Sequence, residues 1–134
     1  MKKKIIITGA ILFSILLLGV LTYKKEATFD KLTKIEVENN PFDFGIISVN
    51  DTIKHVFKIK NITKTPFVIQ QVLPSCTCTV TKFDKKICRL NEIVSIEASF
   101  IPKPNQKGKT KTTVFVQCNA EKGVVKLELI GNIK

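Results

Sequence analysis

From Lys34 to the C-terminus the apolar residues recur at every second position, without the three-and-four spacing of an amphipathic helix. A side-chain period of two belongs to an extended chain with one buried face. The clearest case sets Val94, Ile96, Ala98 and Phe100 against Ser95, Glu97 and Ser99. His55, Phe57 and Ile59 share a face against Lys58 and Lys60, and Val114, Val116 and Cys118 form another such set, as do Val125, Leu127 and Leu129. Ile35 with Val37, Phe42 with Phe44, Phe67 to Ile69, Thr79 to Phe83 and Ile87 to Leu90 supply shorter pieces. Turn-forming runs separate them: Asn39-Asn40-Pro41, Asn50-Asp51, Asn61 to Lys64, Asp84 to Lys86, Asn91-Glu92 and Asn119 to Gly123. Gly45 permits a bulge or tight turn, and Ile101 to Lys109, rich in Pro, Lys and Gly, is expected to be an exposed loop. About seven short strands with turns every eight to twelve residues predict an all-β, immunoglobulin-like β-sandwich.

The N-terminus obeys a different pattern. Met1 to Lys4 is a basic cap, and Ile5 to Tyr23 is an uncharged run that includes Ile5, Leu12, Leu16, Leu17 and Tyr23. As a helix it would span about 28 Å, close to the ~30 Å hydrocarbon core of a bilayer. The run exceeds a signal peptide's usual apolar length, and Val20-Leu21-Thr22-Tyr23 offers no small-x-small cleavage site, so a retained anchor is favoured over a cleaved signal. No cysteine near its end supports a lipoprotein. Three lysines and the amino terminus before the run outnumber Lys24 and Lys25 after it, which places the remainder outside the cytoplasm. The expected organisation is a signal-anchor or transmembrane helix over 1–25, a linker over 26–33 and the sandwich over 34–134. Cleavage of the anchor would make the protein secreted.

Charge argues against nucleic acid. Of 22 basic and 11 acidic residues, five lysines and no acid lie within 1–25, leaving 17 against 11, or +6, beyond it. Arg89 is the only arginine, although bidentate recognition of phosphate or guanine is mainly arginine's work. A lysine-rich solvated surface accounts for the excess.

The chemically suggestive stretch is Val72 to Val80, which carries Cys76 and Cys78 one residue apart behind Pro74. Proline cannot donate to a ladder, so the pair is placed where a bend leads into a strand. In a regular strand their Cα atoms would stand roughly 6.6 Å apart with too wide a Cβ separation for a disulfide, so a Cys76–Cys78 bridge requires the bend to persist. The alternatives are a soft-metal site, pairing with another chain, or inert packing. Cys118 shares a face with Val114 and Val116 and reads as a small buried hydrophobe. Outside the cytoplasm the four cysteines permit disulfides, in three full connectivities that sequence does not separate. His55, the only histidine, is expected to be a hydrogen-bonded strand residue, since no second histidine completes a metal or acid–base set. Asn61-Ile62-Thr63 has the form of a glycosylation acceptor but reads first as a turn. With no Ser, His and Asp constellation and no phosphate loop, the chain is expected not to be an enzyme and to take no small-molecule substrate.

Phe42-Asp43-Phe44-Gly45, His55-x-Phe57, Asn61, Phe67-x-Ile69, Ser75-Cys76-x-Cys78-Thr79 and Gly131 together resemble the bacterial domain of unknown function 1573. The resemblance covers Val37 to Ile133 and implies a Hydin-type or major-sperm-protein-like immunoglobulin sandwich. The chain departs from the family pattern at Thr77, where glycine is usual, at Leu90-Asn91-Glu92 in place of Pro-Gly-Glu, and at Cys118 in place of Ser or Thr. In such a sandwich the first disulfide to expect joins Cys76 or Cys78 to Cys88 on an adjoining strand. Two functions follow. One is a membrane-tethered module that binds or scaffolds another envelope protein and needs no cofactor. The other is Cu(I) or redox transfer through Cys76 and Cys78, since an anchored sandwich with Cys-x-Cys is similar to the copper-inserting assembly factor of cytochrome oxidase. Soft thiolates select Cu(I), but the only methionine is Met1.

Overall fold

The computed structural model describes residues 32–84 and 87–134. The expected anchor and nearly all of the linker lie outside the described residues. The described residues hold nine strands and no helix. β1 (Ile35–Val37), β3 (Ile53–Asn61), β7 (Ile93–Phe100) and β5 (Thr79–Phe83) form one sheet in the order β1-β3-β7-β5. β2 (Phe42–Ile47), β9 (Val124–Ile133), β8 (Gly108–Cys118), β4 (Phe67–Pro74) and β6 (Ile87–Cys88) form the other in the order β2-β9-β8-β4-β6. The expected sandwich is present, with nine strands rather than about seven because the edge pieces β1 and β6 are only three and two residues long.

The core sits between the sheets and is built from the alternating sets. Val94, Ile96, Ala98 and Phe100 of β7 are fully buried against Phe57 and Ile59 of β3, and Val114, Val116, Leu127 and Leu129 of the second sheet are equally enclosed. Each of the larger side chains contributes about 1.5–3 kcal/mol by leaving water. β8 begins at Gly108, so the expected loop ends at Lys107 and its Pro102 is buried. The first half of β8 escapes a hydrophobicity pattern because the core position before Val114 is taken by Thr112, which is buried with its hydroxyl 3.1 Å from that of Thr79.

β2 changes sheets after Asn39-Asn40-Pro41 and runs parallel to β9, pairing Phe42 with Leu129 and, after a shift between Asp43 and Ile46, Ile47 with Ile133. Asn40 pins the crossing: its Nδ2 donates to the Lys126 carbonyl at 2.8 Å and its Oδ1 accepts the Glu128 N–H at 2.9 Å. The shift is the irregularity expected at Gly45, which sits at φ 71° and donates its N–H to Asp43 Oδ1 at 2.8 Å.

Two buried asparagines close one end of the sandwich. Asn61 donates from Nδ2 to the Thr65 carbonyl at 2.8 Å and the Cys88 carbonyl at 2.9 Å, while its Oδ1 accepts the Thr63 N–H at 2.9 Å and the Thr33 hydroxyl at 3.1 Å. Asn119 accepts the Val68 N–H at 2.8 Å and donates to the Pro66 carbonyl at 2.8 Å. Asn61 is therefore the last residue of β3, its side chain braces the turn that follows, and its amide nitrogen is committed inside the protein. Thr33, the last linker residue by sequence, is buried and belongs to this knot. Asn91 takes a left-handed φ of 63° and donates its N–H to the Asn61 carbonyl at 2.8 Å, which explains how asparagine serves where the family pattern has glycine.

Candidate functional site at the Cys76–Cys78 bend

β4 ends at Pro74 and β5 begins at Thr79, so the bend expected from proline persists through both cysteines. It is held from each side. Ser75 donates its N–H to the Thr113 carbonyl at 2.7 Å and its Oγ accepts the Thr113 N–H at 3.0 Å, which ties the end of β4 to β8. The Cys76 carbonyl accepts the Thr79 N–H at 3.2 Å, and the Cys78 carbonyl accepts the Ile101 N–H at 2.9 Å. The bend brings the Cα atoms of Cys76 and Cys78 to 5.2 Å, and their sulfurs are bonded as a disulfide. The Cys78 N–H points at Cys76 Sγ at 3.0 Å, while Cys78 Sγ has the Thr79 hydroxyl at 3.9 Å. Both cysteines are half-buried and line a cleft of about 180 Å³ with Ser75, Lys103, Gln106 and Lys111. Lys103 and Gln106 are set by a tight turn, in which Lys103 N–H donates to Gln106 Oε1 at 3.1 Å and Gln106 N–H to the Lys103 carbonyl at 2.9 Å.

This bridge closes a loop of three residues. By chain entropy such a loop is worth about 1.6 kcal/mol, against about 3 kcal/mol for a fifteen-residue loop. The disulfide is thus a weak staple for a fold already held by two packed sheets. While oxidised, the pair presents no thiolate to a soft cation, so use as a Cu(I) site requires its prior reduction. Among the described residues no group of three or more His, Cys, Asp or Glu side chains is placed to hold a metal ion.

The expected bond from Cys76 or Cys78 to Cys88 is corrected by the geometry. Cys88 stands in β6 opposite Phe67, at the far end of β4 from Pro74. Seven residues of extended strand separate those ends, about 23 Å. Cys88 is buried and donates its thiol to the Glu92 carbonyl at 3.0 Å. Cys118 lies opposite Ile69, buried, and burial pushes its thiol above the ordinary pKa, against a smaller opposite pull from the Ala120 and Val125 backbone. His55 is the strand residue expected, in β3 opposite Ala98, but its side chain departs from the expected hydrogen bonding. Its ring stacks on Phe42, and its buried Nε2 has no hydrogen-bond partner among the described residues.

β5 is the regular open edge of the sandwich. Among the described residues it pairs with β7 alone, from Thr79 opposite Phe100 to Phe83 opposite Ile96, without a register shift. The bonds Ile101 N–H to Cys78 carbonyl and Asp84 N–H to Ser95 carbonyl fix the parity, so that even-numbered residues pair with β7. The backbone groups of Thr81 and Phe83 therefore point away along the free edge. Val80, more than half exposed, and Lys82 lie on the outer face of this strand. The edge β2 is interrupted at Gly45, and β1 and β6 are too short to offer a comparable ladder. By sequence Lys103 falls in the expected exposed loop and Lys111 in the general lysine excess, and nothing marks the β5 edge, because neither cleft nor edge exists until distant strands pair. A second, open groove of about 650 Å³ lies between β1 and the β8–β9 turn, lined by Ile35, Val37, Val124 and Val125 with Lys122 and Lys126.

The model of the protein family of unknown function DUF1573 matches residues 35–133. The chain belongs to the DUF1573 family. A DUF1573 match over this span covers every strand described, including the Cys-x-Cys bend. No curated protein matches the chain. Among solved structures, this DUF1573 domain is similar to a protein of unknown function from Porphyromonas gingivalis W83, with a TM-score of 0.67 and 13% identity over 82% of this chain and 51% of that one. The present chain thus spans about half of that protein's length. It is also similar to the seventh ASH/PapD-like domain of human CEP192, with a TM-score of 0.56 and 13% identity over 84% of this chain and 94% of that domain. A third likeness is to part of the secreted serine protease VesC of Vibrio cholerae, with a TM-score of 0.58 and 8% identity over 78% of this chain and 23% of the protease. At these identities the likeness is one of fold.

Proposed function

We propose that this DUF1573 protein is a membrane-tethered binding module whose open β5 edge accepts an extended segment of another cell-envelope protein. Residues 1–25 hold it in the membrane, and the sandwich lies on the extracytoplasmic, periplasmic side. It acts by binding rather than by catalysis, and nucleic acid is not its partner. The observation that carries this is the β5 edge: a regular strand with β-branched residues at Thr79, Val80 and Thr81, unpaired on one side among the described residues. An added strand gains affinity from the outward backbone groups of Thr81 and Phe83 and specificity from side chains beside Val80. Lys82 discourages indiscriminate pairing, as charged residues on edges do.

The test uses the full-length chain in its own cells, with a photo-crosslinking side chain in place of Val80 and, as a control, in place of exposed Lys34. Position 80 should yield a discrete adduct with one envelope protein, and position 34 should not. Adding Thr81→Pro removes an outward N–H, leaves the β5–β7 ladder intact and should abolish the adduct, whereas Lys82→Pro breaks a ladder bond and should lower stability as well. Absence of an adduct at 80, or its persistence with Thr81→Pro, overturns the edge as the binding surface. Protease added to spheroplasts should remove the sandwich; protection from it overturns the location.

A further inference from the structure

We infer that the Cys76–Cys78 disulfide is a thiol–disulfide exchange site that oxidises a pair of cysteine thiols on a protein substrate, with Cys78 Sγ the sulfur attacked and Cys76 the leaving thiolate. This rests on the bend and its cleft, not on the β5 edge, and stands or falls without the binding reading.

Three observations converge on it. The first is access. Cys76 and Cys78 line a surface cleft of about 180 Å³, whereas Cys88 and Cys118 are shut into the core. Exposed disulfides are the labile and regulatory ones, and access governs exchange. The second is asymmetry. Cys76 Sγ already accepts the Cys78 N–H at 3.0 Å, so a charge developing on Cys76 meets a donor in place, while the Thr79 hydroxyl stands 3.9 Å from Cys78 Sγ and 3.1 Å from the Thr112 hydroxyl. A better-stabilised leaving thiolate departs faster. The third is charge. Lys103 lines the cleft, as does Lys111, whose charge is offset by Glu128 Oε1 at 2.6 Å, so Lys103 supplies the cleft's positive charge. A cationic cleft draws in an anionic thiolate and favours the departing one.

The chemistry balances without an outside oxidant. One substrate thiol loses its proton to solvent, and its thiolate attacks Cys78 Sγ. The Cys76–Cys78 bond breaks, and its electron pair goes to Cys76, which takes up a proton. The second substrate thiolate attacks the substrate sulfur of the mixed disulfide and releases Cys78, which is protonated in turn. The substrate loses two electrons and two protons, the cysteine pair gains both, and each chain reacts once.

The experiment uses full-length protein purified in detergent without reductant and a synthetic peptide bearing two cysteines. One peptide disulfide should form per chain, together with two newly alkylatable thiols at Cys76 and Cys78. Brief exposure to reduced glutathione, followed by alkylation and tandem mass spectrometry, should place glutathione on Cys78 and the alkyl group on Cys76. Lys103→Gln should slow the reaction severalfold at low salt without moving the thermal midpoint. Buried Cys118 reports unfolding. A pair that is reduced only when Cys118 is labelled too, or that is isolated as thiols, overturns exchange; glutathione on Cys76 overturns the assignment of the leaving group.

Discussion

The imidazole of His55 lies flat on the ring of Phe42, with centroids 3.7 Å apart and planes 10° from parallel, and meets Phe57 edge-on at 4.6 Å. The stack joins β2 of one sheet to β3 of the other, and burial lowers the pKa of the imidazole from its ordinary 6.5. A folded-state pKa below the unfolded one means that the unfolded chain binds the extra proton more readily. Stability from this group is therefore complete above about pH 6.5 and declines as pH falls through the interval below it. Thermal midpoints measured from pH 7.5 down to pH 5 should decrease, and His55→Phe, which keeps the stack and removes the proton site, should flatten that part of the slope. An unchanged slope in His55→Phe would assign the pH dependence elsewhere.

Gly131 has no room for a side chain. A Cβ there would run into the Phe44 ring and approach the Gly45 carbonyl oxygen to 2.7 Å. Gly131→Ala should cost about 1–3 kcal/mol in urea unfolding, the usual range for overpacking. Truncating the ring in Gly131→Ala/Phe44→Ala should recover part of that loss, measured as a coupling between the two substitutions. Full additivity would show that the ring is not what the glycine accommodates.

Asn61 joins β3 to the segments at Thr63, Thr65 and Cys88 through one side chain. Asn61→Ala leaves two carbonyls and an N–H without that partner, so a loss of about 2–4 kcal/mol is expected in chemical denaturation. Asn61→Asp restores the acceptor but not the donors and should recover only part of it. Because the amide nitrogen is engaged inside the fold, intact mass after expression in a glycosylating host should show no glycan at this site.

Most of the inward-facing set was legible in the sequence. Val94 to Phe100, Phe57 and Ile59, and Leu127 and Leu129 occupy the core faces their alternation assigns, because a period of two allows a strand only two ways to present its residues. Pro74 likewise marked the bend at the cysteines by local chemistry alone. Thr112 and Thr33 were not legible. Each is a polar residue buried through hydroxyl contacts with residues more than twenty-five positions away, and no local pattern reports such a partner.

What the chain determines by itself is which residues face inward and where it turns, since both follow from backbone stereochemistry and local hydrophobic pattern. What only the tertiary structure decides is neighbourhood. Parallel pairing of β2 with β9 sets Phe44 beside Gly131, β4 holds Cys76 and Cys88 at opposite ends, and β8 with the turn after Phe100 closes a lysine-lined cleft over Cys78. Those relations depend on strand order, and strand order is chosen by the packing of the whole sandwich rather than by any single segment.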